Sequence, residues 1–250
     1  MRAAILTDTT KCIGCRECVI ACKKANRLGP ELPHRWNLED GLSARAFTSV
    51  LEGPQSSFVR KQCRHCLEPA CVSACPVAAL RRTEMGAVVY DSTRCMGCRY
   101  CMMACPFGIP RYEWDQPVPY VRKCTLCFER VRAGGQPACT AACPTQATIF
   151  GERDRLIALA QERIRRQPEK YVAKVWGEEE IGGTSVLYIS NVDLTAVLAG
   201  RPLDQVPLPE RTRTAMQAVP FAFTGVVAAM AGIRWVISRR MQRQAEDGDE

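Results

Sequence analysis

The sequence predicts an α+β fold followed by a single transmembrane helix at the C-terminal end. Three observations support this prediction. All sixteen cysteines lie between Cys12 and Cys143, in four similar motifs. Short apolar runs typical of β-strands follow two of these motifs. Near the end of the chain, sixteen residues without a charge run from Ala218 to Ile233.

The composition limits the class of protein. With 250 residues, the chain can bury a core without covalent crosslinks. A disulfide framework is typical of shorter secreted chains, and here the cysteines cluster locally and would leave long stretches uncrosslinked. The net charge of +8 is not accompanied by a basic stripe with interleaved aromatic residues. We therefore predict no nucleic-acid partner.

Each motif contains four cysteines and ends in CxxxC. The first and third have the spacing CxxCxxCxxxC, the second has two extra residues before its third cysteine, and the fourth has eleven residues between its second and third cysteines. The four sets are Cys12, Cys15, Cys18 and Cys22; Cys63, Cys66, Cys71 and Cys75; Cys95, Cys98, Cys101 and Cys105; and Cys124, Cys127, Cys139 and Cys143.

This spacing favours iron–sulfur clusters over structural zinc. A zinc site usually takes two well-separated CxxC pairs, whereas here three cysteines arrive on one short loop and the fourth is expected to start a helix that points away. That arrangement suits two clusters that share two motifs. Proline follows Cys75, Cys105 and Cys143, but Lys23 follows Cys22. We predict four [4Fe-4S] clusters, with zinc sites and disulfides as the alternatives; with their thiolates the clusters carry about −8, which offsets the basic excess.

Other residues near the motifs fit this prediction. Gly14 and Gly97 lie in loops whose backbone N–H groups must approach cluster sulfurs closely. His34 and His65 are not expected to be ligands, because sixteen thiols already satisfy four clusters. An apolar shell around the clusters is expected from the following side chains, for which ordinary core packing is an equally good explanation: Ile13, Val19, Ile20, Val72, Met96, Met102, Ile109 and Ile149.

Residues 1–151 are predicted to form the cluster domain. Short strands are expected at 87–90 and 147–150, after the second and fourth motifs, so a ferredoxin-type unit with two clusters occurs twice, in a pseudo-twofold arrangement. Residues 23–62 form an insertion, with a strand within 44–53 and a loop at 29–37.

A second region, 152–209, precedes the C-terminal helix. Apolar residues at helical spacing predict an amphipathic helix over 153–167. A strand is expected within GGTSVLYIS, 182–190, and a proline-rich linker at 201–210.

The uncharged stretch predicts a transmembrane helix within 210–240, followed by a charged tail at 241–250. Arg234 can snorkel and Trp235 can lie at the interface, which extends the span to about 21 residues. A buried core helix is the alternative. Two arginines precede the span and four end it, so the positive-inside rule puts the C-terminus in the cytoplasm and the cluster domain in the periplasm of a bacterial inner membrane.

The start of the chain raises a difficulty for that orientation. No signal peptide opens the sequence, which runs from MRAAILTDTTKC straight into cysteine ligands. A periplasmic location would therefore require export by a partner that carries the signal. A complex that faces the cytoplasm avoids this requirement, and the sequence leaves both possibilities open.

The four motifs, together with KCTLCFERV, CPTQATIFG, GGTSVLYIS and the single C-terminal helix, resemble the iron–sulfur subunits of membrane-bound respiratory oxidoreductases. The likeness is to the beta subunit of respiratory formate dehydrogenase and to the iron–sulfur subunit of hydrogenase-2, and it covers residues 10–240. It implies four ligand sets: Cys12, Cys15, Cys18 and Cys143; Cys124, Cys127, Cys139 and Cys22; Cys63, Cys66, Cys71 and Cys105; and Cys95, Cys98, Cys101 and Cys75.

The resemblance also implies the function. Such a chain has no catalytic residues of its own and passes single electrons from a catalytic subunit to an integral membrane subunit that reacts with quinone. The catalytic partner is expected to be a molybdenum or tungsten formate dehydrogenase, with a NiFe hydrogenase as the alternative. A free-standing soluble polyferredoxin and a zinc-rich scaffold are the other two hypotheses.

Overall fold

A computed structural model describes residues 2–29 and 40–247. The predicted loop at 29–37, apart from Gly29, and His34 lie outside the described residues. The chain forms two compact units, Met1–Leu208 and Pro209–Glu250. The strands are β1 (Ala3–Asp8), β2 (Thr48–Glu52), β3 (Phe58–Gln62), β4 (Leu80–Arg82), β5 (Val88–Tyr90), β6 (Arg111–Tyr112), β7 (Val121–Arg122), β8 (Thr148–Glu152) and β9 (Val186–Ile189). The helices are α1 (Glu17–Ala25), α2 (Ala70–Ser73), α3 (Tyr100–Ala104), α4 (Phe128–Arg132), α5 (Ala138–Ala141), α6 (Arg153–Arg166), α7 (Thr195–Ala199) and α8 (Leu208–Asp247).

A three-stranded sheet organises the first unit, with β1 at its centre. Strand β1 pairs with β8 in antiparallel register, Ile5 opposite Phe150, and with β9 in parallel register, Ile5 opposite Val186. All six residues of β1 are buried, as expected for a strand covered on both faces. Because β1 leads into the first cysteine motif and β8 follows the fourth, this pairing brings those two motifs together.

The two faces of the sheet pack against different groups of side chains. On one face, Leu6 of β1 joins Leu156 and Ala160 of α6 in an apolar cluster. On the other face, Ile5 joins a cluster that includes Leu126 of the fourth motif. The helix predicted at 153–167 is therefore confirmed, and its buried side packs on the sheet.

Three antiparallel hairpins carry the remaining strands: β2–β3, β4–β5 and β6–β7. The strands expected within 44–53, 87–90, 147–150 and 182–190 are confirmed as β2, β5, β8 and β9. Strand β1 was not predicted. Neither was β3, which ends at Gln62, one residue before the first cysteine of the second motif.

The helices of the cysteine motifs begin earlier than predicted. Each starts one residue before the third cysteine, not at the fourth: α1 at Glu17, α2 at Ala70, α3 at Tyr100 and α5 at Ala138. The physical reason lies in the residue just before each helix. Arg16 and Arg99 adopt φ of 62° and 64°, and Pro69 and Pro137 have extended backbone, so the chain turns sharply there and the helix follows. The third cysteine therefore lies in the first turn.

The second unit consists of one long helix. Helix α8 has 40 residues, begins inside the predicted proline-rich linker and includes Pro220. Thr224 Oγ1 donates a hydrogen bond to the Pro220 carbonyl at 2.8 Å. Residues 208–243 are long and apolar enough to cross a membrane. The helix carries large apolar side chains along its length, such as Phe221, which is 81% exposed.

Candidate functional site

Two cavities in the first unit are each lined by four thiols. We call the first set site A; it comprises Cys12, Cys15, Cys18 and Cys143. The second set, site B, comprises Cys22, Cys124, Cys127 and Cys139. Each site combines three cysteines of one motif with one cysteine of another. The pairing of β1 with β8 explains this exchange, because it brings the first and fourth motifs side by side.

Two further sets of thiols lie together around the second and third motifs. Site C comprises Cys63, Cys66, Cys71 and Cys105, and site D comprises Cys75, Cys95, Cys98 and Cys101. Burial raises the pKa of Cys66 well above that of an ordinary thiol, and the other three thiols of site C raise it further. Burial likewise raises the pKa of Cys101 to about 11, with an added rise from the other three thiols of site D.

The four sites follow one another in a row. At each junction, burial is the main cause that raises the pKa of one thiol, and a thiol of the neighbouring site raises it further. Cys139 of site B acts on Cys18 of site A, Cys63 of site C acts on Cys124 of site B, and Cys101 of site D acts on Cys71 of site C. The order along the row is therefore A, B, C, D.

The sixteen cysteines are free, and burial affects their protonation. Within residues 2–29 and 40–247, no three Cys, His, Asp or Glu side chains converge as the ligands of a single metal ion. The sixteen cysteines are free thiols, none of them paired in a disulfide. Burial raises the pKa of Cys22 to about 12, so an incoming metal must displace the proton of this thiol.

The backbone repeats the same turn in all four motifs. The residue just before the second cysteine has a positive φ in each: Gly14 (70°), His65 (48°), Gly97 (76°) and Leu126 (57°). This turn directs N–H groups at sulfur. The N–H of Gly97 lies 3.4 Å from Cys95 Sγ, and that of Leu126 lies 3.3 Å from Cys124 Sγ. Such donors around the ligands stabilise bound iron–sulfur clusters.

The predicted apolar shell is only partly correct. Ile20 and Met96 are exposed, by 58% and 65%, so the prediction was wrong for them, whereas Ile13 is 61% exposed but lines the site A cavity. They lie on the loop or helix of the first and third motifs, at the surface. Ile109 is buried, and Val19, Val72, Met102 and Ile149 are half-buried. Sites A and D therefore have apolar side chains that point outward and are available to a partner.

His65 is more than a spacer between two cysteines. It is fully buried, and its Nδ1 accepts a hydrogen bond of 2.9 Å from the N–H of Val88 in β5. Burial and the nearby charge of Lys123 hold the pKa of His65 well below its usual value. The imidazole is therefore neutral, and it ties the second motif to the β4–β5 hairpin.

Sequence reasoning missed two buried cations beside the thiols. Arg60 in β3 is 2% exposed and lines the site A cavity. Lys123 is 4% exposed; its Nζ lies 3.9 Å from Cys63 Sγ of site C and 2.9 Å from the carbonyl oxygen of Cys124 in site B. The available signal was their position just ahead of a cysteine, in FVRKQC and VRKC.

These residues fit iron–sulfur clusters well. Thiols in sets of four, N–H groups aimed at sulfur and buried cations together provide ligands, hydrogen bonds and charge balance for an anionic cluster. They define an iron–sulfur electron-transfer protein.

Comparison with known proteins agrees with this class. Residues 54–153 match the family model of a 4Fe-4S dicluster domain. The chain is 32% identical to the hydrogenase-2 operon protein HybA of Escherichia coli O157:H7 over 98% of this chain and 87% of that protein. It is 35% identical to the iron–sulfur subunit of the nitrate-inducible formate dehydrogenase of Escherichia coli K12, over 92% of this chain and 82% of that subunit. A protein of Nitratidesulfovibrio vulgaris is 37% identical over 97% of this chain and 68% of its own length. The chain belongs to the family of iron–sulfur subunits that includes these formate dehydrogenase and hydrogenase-2 proteins.

Proposed function

We propose that this chain binds four [4Fe-4S] clusters and relays single electrons between a catalytic subunit and an integral membrane subunit that reacts with quinone. The main supporting observation is that two cavities are each lined by four cysteines drawn from two motifs. Each cluster, when bound, accepts and gives up one electron at a time. The thiols of sites A, B, C and D would each hold one cluster.

The row of sites gives the electron a route through the domain. Thiols of neighbouring sites interact electrostatically at every junction of the row, which supports transfer from each site to the next. Sites B and C lie in the middle of the row, where Cys22, Cys139 and Cys63 are buried. Because sites A and D lie at the two ends of the row, they are the points of entry and exit.

The surface at both ends supports a role between two partners. Ile13 and Ile20 are exposed beside site A, and Met96 and Met103 are exposed beside site D, Met103 by 86%. Exposed apolar side chains around a redox site are typical of a docking surface. We propose that one end receives the catalytic subunit and the other the quinone-reactive membrane subunit.

The resemblance to formate dehydrogenase subunits favours a molybdenum or tungsten formate dehydrogenase as the catalytic partner. A NiFe uptake hydrogenase is the second candidate, supported by the 32% identity to HybA over 98% of this chain. A soluble polyferredoxin is disfavoured, because Phe221 and other large apolar side chains of α8 are exposed. We further propose that the two cluster pairs are related by a pseudo-twofold axis.

The long apolar helix supports a membrane anchor. We propose that α8 spans a bacterial inner membrane once, within 210–240, with the tail at 241–250 in the cytoplasm and the domains 1–151 and 152–209 in the periplasm. Four arginines between 234 and 243 follow the apolar stretch and two precede it, which agrees with the positive-inside rule.

Two serine substitutions in the fourth motif test the ligand assignment. Cys139 lines site B and Cys143 lines site A, although both belong to the fourth motif. In anaerobically purified complex, Cys143→Ser is expected to remove or convert the cluster of site A and to leave that of site B intact. Cys139→Ser, the matched variant, is expected to do the opposite. Electron paramagnetic resonance of the two variants distinguishes these results; loss of the same cluster in both would contradict the assignment.

A further inference from the structure

Arg60 is an unusual buried charge. It lies in β3 and is 2% exposed, and among the described residues no oxygen or nitrogen atom accepts a hydrogen bond from Nε, Nη1 or Nη2; the guanidinium interacts instead with the thiol of Cys139. Taking a guanidinium out of water without such partners costs several kcal/mol. A chain that keeps this residue therefore needs a compensating negative charge at the same place.

Among the described residues, the groups of suitable chemistry that act on Arg60 are thiols of sites A and B and the hydroxyl of Tyr188. Burial lowers the pKa of Arg60, but the thiols of Cys139 and Cys18 outweigh this effect and the net shift is upward. Tyr188 already donates its hydroxyl proton to the carbonyl of Arg60, at 2.6 Å. Arg60 lines the cavity of site A, and Cys139 belongs to site B, so the guanidinium lies between the two sites.

A second donor on the same strand points to site B. Gln62 is two residues after Arg60, so both side chains leave β3 on the same face. Gln62 is 1% exposed, its Nε2 lacks a hydrogen-bonding partner among the described residues, and it lines the site B cavity. Strand β3 thus offers unpaired N–H donors to two neighbouring sites.

Lys123 occupies the next junction along the row. Its Nζ lies 3.9 Å from Cys63 Sγ of site C and 2.9 Å from the carbonyl oxygen of Cys124 of site B, and it also donates to the carbonyl of Val88. Buried cations therefore stand between sites A and B and between sites B and C.

We propose that Arg60 and Lys123 set the reduction potentials of the clusters they adjoin, with Arg60 acting on sites A and B and Lys123 on sites B and C. This inference rests on the proposed function, because it requires clusters in those sites. Reduction adds one negative charge to a cluster, and a fixed cation nearby stabilises that charge in the low-dielectric interior. The cations therefore raise the reduction potentials of the inner clusters, which favours the reduced form of those clusters.

The test is a redox titration of the anaerobically purified complex, followed by electron paramagnetic resonance. Arg60→Met keeps an unbranched aliphatic stem and removes the charged guanidinium. At a fixed potential near their midpoint, the ratio of reduced to oxidised site A and site B clusters is expected to fall about tenfold, a shift of about 59 mV to more negative potential. Arg60→Lys keeps the charge and is expected to preserve most of the wild-type potential. Site D, at the far end of the row, serves as internal reference.

The matched control is Arg153→Met. Arg153 is also buried, at 7% exposed, but its guanidinium donates to the backbone carbonyls of Thr184 and Glu178 at 2.9 Å and 2.7 Å. Its loss is expected to reduce stability without moving any potential. Lys123→Met is the second test and is expected to lower the reduction potentials of the clusters in sites B and C, with that of site A unchanged. If Arg60→Met does not assemble, Lys123→Met alone tests whether the buried cations set the potentials.

Iron and sulfide content, measured first, separates the two proposals. Wild-type complex without clusters would overturn the proposed function itself. A full complement of clusters with unchanged potentials in Arg60→Met, or in Lys123→Met where the first variant does not assemble, would overturn the role of the cations and leave the electron relay standing. Equal shifts in Arg153→Met would also overturn it, because a general loss of packing would then explain the effect.

Discussion

The side-chain amide of Asn26 lies 3.6 Å from Sγ of Cys22, the cysteine four residues before it. In the second motif, the donor four residues after the cysteine is a backbone group: the N–H of Ala79 lies 3.2 Å from Sγ of Cys75. Proline follows Cys75 and ends the helix, which frees the backbone donor. Lys23 follows Cys22 instead, α1 continues to Ala25, and the Asn26 side chain takes the place of the backbone N–H.

Replacing Asn26 with leucine is expected to weaken site B. Loss of this donor leaves the sulfur of Cys22 without one N–H group, which lowers the reduction potential of the site B cluster and costs about 1 kcal/mol of stability. Redox titration and chemical denaturation measure the two effects. Asn26→Gln, which keeps an amide, is the control. An unchanged site B potential in Asn26→Leu would show that the Asn26 amide is not a functional donor.

Gly14 is expected to tolerate no side chain. Its φ is +70°, and a Cβ there would lie 2.8 Å from the ring of Phe58. Gly14→Ala should therefore cost about 2–3 kcal/mol, from backbone strain and the clash together. Gly108 has φ of +59° with open space around it, so Gly108→Ala isolates the strain, about 1 kcal/mol. Thermal unfolding of the two variants gives the difference, and equal losses would contradict the role assigned to the Phe58 contact.

His65 is expected to make stability depend on pH. Its native pKa is lowered well below 6.5 by burial and by Lys123, whereas the unfolded imidazole has its ordinary pKa. Below about pH 6.5 the unfolded chain binds a proton that the native chain does not, so the free energy of unfolding falls as the pH falls, by at most about 1.4 kcal/mol per pH unit. Denaturation between pH 5.5 and 7.5 measures the slope. His65→Gln keeps an acceptor for Val88 N–H and is expected to flatten it; an equal slope in this variant would assign the effect to other groups.

Removal of the C-terminal helix is expected to separate membrane attachment from cluster binding. A chain ending at Leu208 keeps the whole first unit. It should retain its clusters and accept electrons from the catalytic subunit, measured with an artificial dye, while quinone reduction in membrane vesicles falls sharply because the anchor no longer holds the domain near the quinone-reactive subunit. Full quinone reduction by the truncated chain would show that α8 is not the anchor.

The sequence was most informative where chemistry is local. The cysteine spacing predicted the class of cofactor, and periodicity predicted α6, because both depend on residues that are close in the chain. The apolar run of β1 was missed, since six residues carry too little periodicity and both partner strands lie more than 130 residues away. Because β1 was not predicted, only the family resemblance implied that the first and fourth motifs lie together.

Charged residues were the hardest to place from sequence. Arg60 lies in a strand with Lys61 beside it, a pattern that usually indicates a solvated face, yet Arg60 is buried among thiols. Met96 was expected in the apolar shell of a cluster and is 65% exposed. In both cases the decisive factor is the position of the cluster sites relative to the surface, and this depends on how distant motifs pack together.

The most direct test of the account is the iron and acid-labile sulfide content of the anaerobically purified complex, with the metal of the catalytic subunit determined in the same sample. Four cubane clusters on this chain predict about sixteen iron and sixteen sulfide per chain, beyond those carried by its partners. Half of that content or less, accompanied by stoichiometric zinc, would contradict the four-cluster electron relay.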